Sequence, residues 1–156
     1  MKYAIQELRV VRLREVATDG AMCDKPENVA ACWEAGVKTA VWYNPDVECA
    51  VVFTLNTRRR VTGFNLVATG TLDTLLIHPR EVFKLAVVKN ASAIIVAHNH
   101  PSGDPTPSEA DIKVTRDMIR AGQVLKIELL DHVVIGRASD GRAGWFLLRS
   151  NGYFCT

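Results

Sequence analysis

Short apolar runs separated by turn residues divide the chain into predicted strands. Residues 48–55 and 61–69 are two such runs, and the polar segment 56–60 between them predicts an antiparallel hairpin. Residues 93–97 are entirely apolar, which predicts a central strand covered on both faces. Further strands are predicted at 3–16, 125–130, 132–135 and 145–148, with a short extended piece at 75–77.

Three helices are predicted between these strands from apolar residues at helical spacing. The first begins at Asp24–Glu27 and the second covers residues 79–90, ending at Asn90. The third covers residues 108–121 and ends at Gly122. The residues expected to face the core are Val29, Cys32, Trp33, Val37, Val82, Leu85, Ala86, Val88, Ile112, Val114, Thr115, Met118 and Ile119. The pattern predicts one α/β or α+β layered domain over 1–156, with an N-terminal strand and helix in 1–45 and a core in 46–156.

The strongest chemical signal follows the apolar strand at 93–97. Residues separated by two positions on a strand face the same side, so His98 and His100 are expected to point together. A carboxylate, Asp111, lies in the first turn of the next predicted helix. Two imidazoles and one carboxylate leave a coordination position open, as in catalytic zinc sites.

Asp111 also has a purely structural explanation. Ser108 and Asp111 have the spacing of a capping box, and a first-turn aspartate favours the positive end of a helix without any metal. Sequence physics alone does not decide between ligand and cap. His78, His132 and Asp131 are read as structural residues or as partners of the ligands, with Asp131 a candidate acceptor for an imidazole N–H.

The run His-Asn-His-Pro-Ser-Gly at 98–103, followed by Pro-Ser-x-x-Asp at 107–111, resembles the JAMM motif of the JAB/MPN metalloproteases. Gly-Thr-Leu at 70–72, His-Pro-Arg-Glu at 78–81 and Asp-His at 131–132 make the resemblance specific to the RadC family. It spans residues 48 to the C-terminus.

The resemblance implies a JAB/MPN-like (cytidine-deaminase-like) mixed sheet with flanking helices, and Zn²⁺ held by His98, His100 and Asp111. It further implies that Ser108 stabilises an oxyanion and that an upstream glutamate is the general base. Glu48 is the best match for that glutamate, with Glu81 second. The expected function is zinc-dependent hydrolysis of a peptide or isopeptide bond. The alternatives are a non-catalytic JAB/MPN scaffold and an accessory protein of DNA repair or recombination.

Composition and charge limit the kinds of partner and substrate that this protein is expected to bind. The chain is 48% hydrophobic and 23% charged, with a net charge of +2, which is too small to support nucleic-acid binding. Residues 1–45 do not resemble the helix-hairpin-helix region common in RadC proteins. The four cysteines form no framework, and there is no signal peptide or membrane-length apolar run, so a cytoplasmic protein with a peptide or protein substrate is expected.

Overall fold

A five-stranded mixed sheet organises the domain in the computed structural model, which describes residues 7, 9–15, 25, 27–70 and 77–155. The strands are β1 (Cys49–Leu55), β2 (Val61–Thr69), β3 (Ala93–Asn99), β4 (Glu128–Ile135) and β5 (Trp145–Leu147). Their order is β2-β1-β3-β4-β5. β3 and β4 are parallel, and the other neighbours are antiparallel. The predicted hairpin and the central position of β3 are confirmed.

Helices cover both faces of this sheet. They are α1 (Glu27–Cys32), which continues as one π-helical turn (Trp33–Val37), α2 (Pro79–Val88) and α3 (Glu109–Leu125). α1 and its π turn pack on one face, against the odd-numbered residues of β3, and α2 and α3 pack on the other. This arrangement buries every residue of β3, because consecutive side chains of a strand enter opposite layers. The mixed α+β layered fold expected from the sequence is confirmed.

β4 is a single strand, where the sequence predicted two strands interrupted at Asp131. Ile94 pairs with Leu129 and Ile95 pairs with Asp131, so Leu130 is an extra residue in β4. Such a bulge shifts the alternation of side chains by one position. His132 therefore lies opposite Val96 of β3, on the face that α2 and α3 cover.

Several smaller predictions are wrong. Val88 is exposed, because it lies in the last turn of α2, and Phe83 is buried on that helix instead. Of the strand predicted at 3–16, the described residues 7 and 9–15 are exposed and irregular. Residues 24 and 26 of the first predicted helix start, and residues 75 and 76 of the predicted extended piece, lie outside the described residues.

The end of α3 also differs from the prediction. α3 continues past Gly122 to Leu125, and Lys126 adopts the left-handed conformation that ends it. Gly122 is buried inside the helix, where a Cβ atom would lie 2.5 Å from the backbone oxygen of Ile127. Glycine is therefore required here by close packing against the chain that leads into β4.

We expect Gly122→Ala to destabilise the domain by about 1–3 kcal/mol, although alanine is intrinsically the better helix former by about 1 kcal/mol. The added methyl group would collide with a backbone oxygen that cannot rotate away. Gln123→Ala, at an exposed neighbouring position, is the matched control and should change stability by less than about 0.5 kcal/mol. Urea unfolding of the two variants measures the difference, and an unchanged or raised midpoint for Gly122→Ala would contradict the packing argument.

Candidate metal centre

Three chain segments meet at the C-terminal end of β3. His98 is in β3, His100 directly follows it, and Asp111 is in the first turn of α3. Glu48 immediately precedes β1, which runs antiparallel to β3 and pairs Ala50 with His98. The start of β1 therefore lies beside the end of β3, and residues 50 positions apart in sequence become neighbours.

The ring nitrogens of the two histidines and the carboxylate oxygens of Asp111 point at one another. His98 Nε2 lies 3.0 Å from His100 Nε2. The Asp111 carboxylate spans the pair, with Oδ1 3.3 Å from His98 Nε2 and Oδ2 3.4 Å from His100 Nε2. The centre is buried, since the side chains of His98 and Asp111 are 0% and 3% exposed.

Glu48 approaches the same point from the more open side. Its Oε1 lies 3.9 Å from His98 Nε2 and 3.7 Å from His100 Nε2, and its side chain is 18% exposed. Glu48, His98 and His100 together form a cluster that could hold a metal ion. The structure thus brings two carboxylates to the histidine pair, with Asp111 closer and more buried than Glu48.

Asn99, between the two histidines, holds the segment that carries Glu48. Its Oδ1 accepts a hydrogen bond from the Cys49 backbone N–H at 2.9 Å, and its Nδ2 donates to the Val47 carbonyl at 3.1 Å. These bonds fix the residues on either side of Glu48. The sequence pattern indicates no role for Asn99, because alternation along the strand points its side chain away from the histidines.

Each histidine uses its second ring nitrogen in a hydrogen bond. His100 Nδ1 lies 2.8 Å from the Asp104 carbonyl oxygen, which can only accept, so Nδ1 carries a proton and, in the neutral ring, Nε2 has a free lone pair. His98 Nδ1 lies 2.8 Å from His132 Nε2. Burial, and secondarily the nearby His98, lower the pKa of His132 to about 3, so its ring is neutral near pH 7.

These contacts fit a bound cation. Electron-rich nitrogen and oxygen atoms about 3 Å apart repel one another unless a proton or a metal ion lies between them. In a tetrahedral zinc site with ligand bonds of about 2.0–2.1 Å, the ligand atoms are about 3.3 Å apart. The two Nε2 atoms are 3.0 Å apart, and the Asp111 oxygen nearest to each, Oδ1 for His98 and Oδ2 for His100, lies at 3.3 and 3.4 Å, close to that value.

A proton on His100 Nε2, which faces Asp111, compensates part of this repulsion. The hydrogen bond with Asp111 raises the pKa of His100, against the effect of burial. Burial opposes ionisation of Asp111, but hydrogen bonds from His100 and His98, which form when their Nε2 atoms carry a proton, outweigh it and hold the pKa of its carboxyl well below the usual range. Asp111 is therefore an anion, and its negative charge favours a proton or a metal ion between the carboxylate and the histidine rings.

Asp111 also completes the capping box of α3, and this role is compatible with the expected role as a metal ligand. Ser108 Oγ accepts a hydrogen bond from the Asp111 backbone N–H at 3.1 Å, and Asp111 Oδ2 accepts one from the Ser108 backbone N–H at 2.7 Å. The cap orients the carboxylate toward the histidines. Ser108 itself is exposed at the edge of the centre.

The remaining candidates lie elsewhere or have other partners. Glu81 is on the exposed surface of α2, where its Oε2 bonds Lys84 Nζ at 2.8 Å. His78 caps α2 by accepting a hydrogen bond from the Arg80 backbone N–H. Asp131 was expected to accept an imidazole N–H, and this was wrong: its Oδ1 accepts the backbone N–H groups of His132 and Arg149. Burial raises the pKa of Asp131.

The loop after β4 holds in place the proline-rich segment 101–107, which connects β3 to α3. The Arg137 backbone N–H donates to the Gly103 carbonyl at 2.8 Å, and its guanidinium donates to the Ser102 carbonyl at 2.9 Å. Arg142 pairs with Asp104 at 3.3 Å, and the carbonyl of Asp104 accepts from His100. No local sequence pattern predicts this support, because it depends on contacts between residues about 35 positions apart.

A family sequence model described as "RadC-like JAB domain" matches residues 23–145. The chain belongs to the RadC family. Similar proteins include the UPF0758 proteins of Caldanaerobacter subterraneus subsp. tengcongensis (47% identical over 103 residues) and Moorella thermoacetica (57% over 88). These alignments cover 66% and 56% of this chain, but only 42% and 37% of the relatives, respectively. The chain thus spans about two fifths of the length of the curated relatives it matches.

Within the described part of this RadC-like domain, no helix is long and apolar enough to cross a membrane.

We expect the RadC-like domain, purified and supplied with zinc, to hold about one ion per chain, because two imidazoles and a carboxylate complete a three-ligand site. His98→Ala/His100→Ala should lose this ion. His78→Ala is the matched control, since His78 caps α2 outside the centre, and should keep it. Elemental analysis after gel filtration measures the ratio. A double variant that still retained zinc would place the metal elsewhere.

Single substitutions can also distinguish the contributions of the two carboxylates, Asp111 and Glu48, to zinc binding. Asp111→Asn should weaken zinc binding by at least about 100-fold, while Glu48→Gln should leave it nearly unchanged, because Asp111 is nearer to both ring nitrogens. Asparagine keeps an oxygen that can accept from the Ser108 backbone. Competition titration with a chromophoric chelator measures both constants, and the opposite order would make Glu48 the third ligand.

Proposed function

We propose that this domain is a zinc-dependent hydrolase that cleaves a peptide or isopeptide bond with a metal-activated water. The observation that carries the proposal is the convergence of His98, His100 and Asp111 on one point, with the Glu48 carboxylate beside it. Three ligands leave a position open for water or substrate, which distinguishes a catalytic from a structural zinc site. Bound zinc would lower the pKa of its water to about 7 and polarise the scissile carbonyl.

Zinc is the cofactor that best suits this donor set. Imidazole nitrogens are typical ligands of zinc, whereas magnesium prefers oxygen ligands and keeps several waters. Two buried or half-buried histidines therefore argue against a magnesium-dependent nuclease. The net charge of +2 also gives little support to a nucleic-acid substrate.

Glu48 is proposed as the general base and acid. It is farther from the ring nitrogens than Asp111 is, and it lies on the more exposed side, where water and substrate can enter. A carboxylate at this position can take a proton from the attacking water and deliver it to the leaving amine. Asn99 contributes by holding residues 47 and 49 on either side of Glu48.

Ser108 is proposed to stabilise the oxyanion of the tetrahedral intermediate. Its capping bond uses Oγ as the acceptor for the Asp111 backbone N–H, and a hydroxyl can donate its own proton at the same time. The cap and the catalytic role are therefore compatible.

The reducing cytoplasm is the proposed location of this activity. Among the cysteines that the structure describes, Cys49 and Cys155 form no disulfide bond, as expected for a protein that functions among reduced thiols.

The proposal is tested by incubating the zinc-loaded domain with peptides from a proteome digest in H₂¹⁸O. We expect new carboxyl termini that carry ¹⁸O, detected by mass spectrometry, because the attacking oxygen comes from water. Glu48→Gln should lower the rate by about 10²–10⁴-fold while retaining zinc. Ser108→Ala should lower it by about 10²-fold.

Isopeptide-linked peptide pairs, joined through a lysine side chain, are added as a second substrate class. Cleavage of these pairs alone would narrow the substrate to isopeptides. If the zinc-loaded domain cleaves neither class, or if Glu48→Gln cleaves as fast as the unaltered domain, the hydrolase proposal is wrong, and a non-catalytic scaffold becomes the better explanation.

A further inference from the structure

A continuous line of buried hydrogen bonds joins the backbone of Asp111 to the ring of His98. Thr115 Oγ1 lies 2.7 Å from the Asp111 carbonyl oxygen, one turn earlier in α3. The same hydroxyl lies 2.7 Å from His132 Nδ1, and His132 Nε2 lies 2.8 Å from His98 Nδ1. Thr115, His132 and His98 are each no more than 1% exposed.

The donor and acceptor capacity of each group determines which atom carries the proton in each of these hydrogen bonds. A carbonyl oxygen can only accept, so the single hydroxyl proton of Thr115 is donated to Asp111. Thr115 Oγ1 must then accept from His132, which places the ring proton of His132 on Nδ1. His132 Nε2 is consequently an acceptor, and the proton between the two rings belongs to His98 Nδ1.

We propose that Thr115 and His132 are positioning residues that hold His98 in the Nδ1-protonated tautomer, so that its Nε2 lone pair faces the metal position. This inference rests on the proposed metal site. A buried imidazole has no water with which to exchange protons freely, so its hydrogen-bond partner selects the tautomer. The Asp104 carbonyl does the same directly for the more exposed His100.

The line also ties two ligands to each other. Asp111 lies in α3 and His98 in β3, and the connection runs through His132 of β4. His132 reaches this face only because of the bulge at Leu130, which places it opposite Val96. Thr115 and His132 therefore form a two-residue relay that connects ligands on two elements, α3 and β3, through a third, β4.

Removal of the Thr115 hydroxyl should reverse the donor and acceptor roles in the hydrogen bond between His132 and His98. In Thr115→Val, His132 Nδ1–H loses its acceptor, and the ring is expected to take the Nε2-protonated form and donate to His98 Nδ1. The proton of His98 then moves to Nε2, where it blocks the metal. Thr115→Ser keeps the hydroxyl and should preserve the original direction.

The first measurement is ¹⁵N–¹H long-range correlation NMR of the metal-free protein at about pH 8.5, two units above the ordinary imidazole pKa of about 6.5. We expect the Nδ1-protonated tautomer for His98 in the unaltered protein and in Thr115→Ser, and the Nε2-protonated tautomer in Thr115→Val. The spectrum of the unaltered protein needs no variant to fold, and an Nε2-protonated His98 there would overturn the inference.

The second measurement is zinc affinity by chelator competition. Thr115→Val should bind zinc about 10–100-fold more weakly, while Thr115→Ser should stay close to the unaltered protein. Thr54→Val is the matched control: Thr54 is also buried in the sheet, but its hydroxyl bonds Thr62 and Gly63, away from the centre. Equal zinc affinities for Thr115→Val and Thr54→Val would overturn the role of Thr115.

Failure of the proposed function gives a different result. If the unaltered protein binds zinc but cleaves nothing, the hydrolase proposal fails while the relay is still decided by the two measurements. If it binds no zinc at all, the metal site itself is refuted, and with it the purpose assigned to the relay.

Discussion

The approach of two imidazole nitrogens within 3.0 Å inside a buried layer is the constraint on which the rest of the site depends. Two such lone pairs, together with a carboxylate, are unfavourable in a medium of low dielectric unless a positive charge lies among them. The fold holds this arrangement through groups that are themselves fixed by backbone contacts. His98 lies in the central strand, and Asp111 lies in the capping box of α3.

The stability needed to hold these groups comes from the apolar layers on the two faces of the sheet. Every residue of β1 and of β3 is buried, and burial of each large aliphatic side chain contributes about 1.5–3 kcal/mol. The polar residues at the end of β3 add little to folding stability, and their closely spaced nitrogen and oxygen atoms repel one another. A buried cation would remove that repulsion, so metal binding and folding stability should be coupled.

The sequence was sufficient to predict the hairpin, the central strand and the histidine pair, because each depends on local periodicity. The contacts of His132 were not predictable, because they depend on a bulge that changes the face of β4, and a bulge at Leu130 leaves no distinct mark among apolar residues. Thr115 was expected only to face the core. Its position four residues after Asp111, one helical turn along the same face, was the available signal for a role at the site.

The residues 98–100 show how one short strand end serves two purposes. The histidines face α3 and converge on the metal position, while Asn99 faces the other way and binds the backbone on both sides of Glu48. The alternation of a strand makes this division unavoidable: a side chain between two ligands must point to the opposite face. An amide is well suited to that place, because it donates to one backbone group and accepts from another. Two of the three proposed ligands and the proposed general base are thereby positioned by a single tripeptide, although Glu48 and the histidines are distant in sequence.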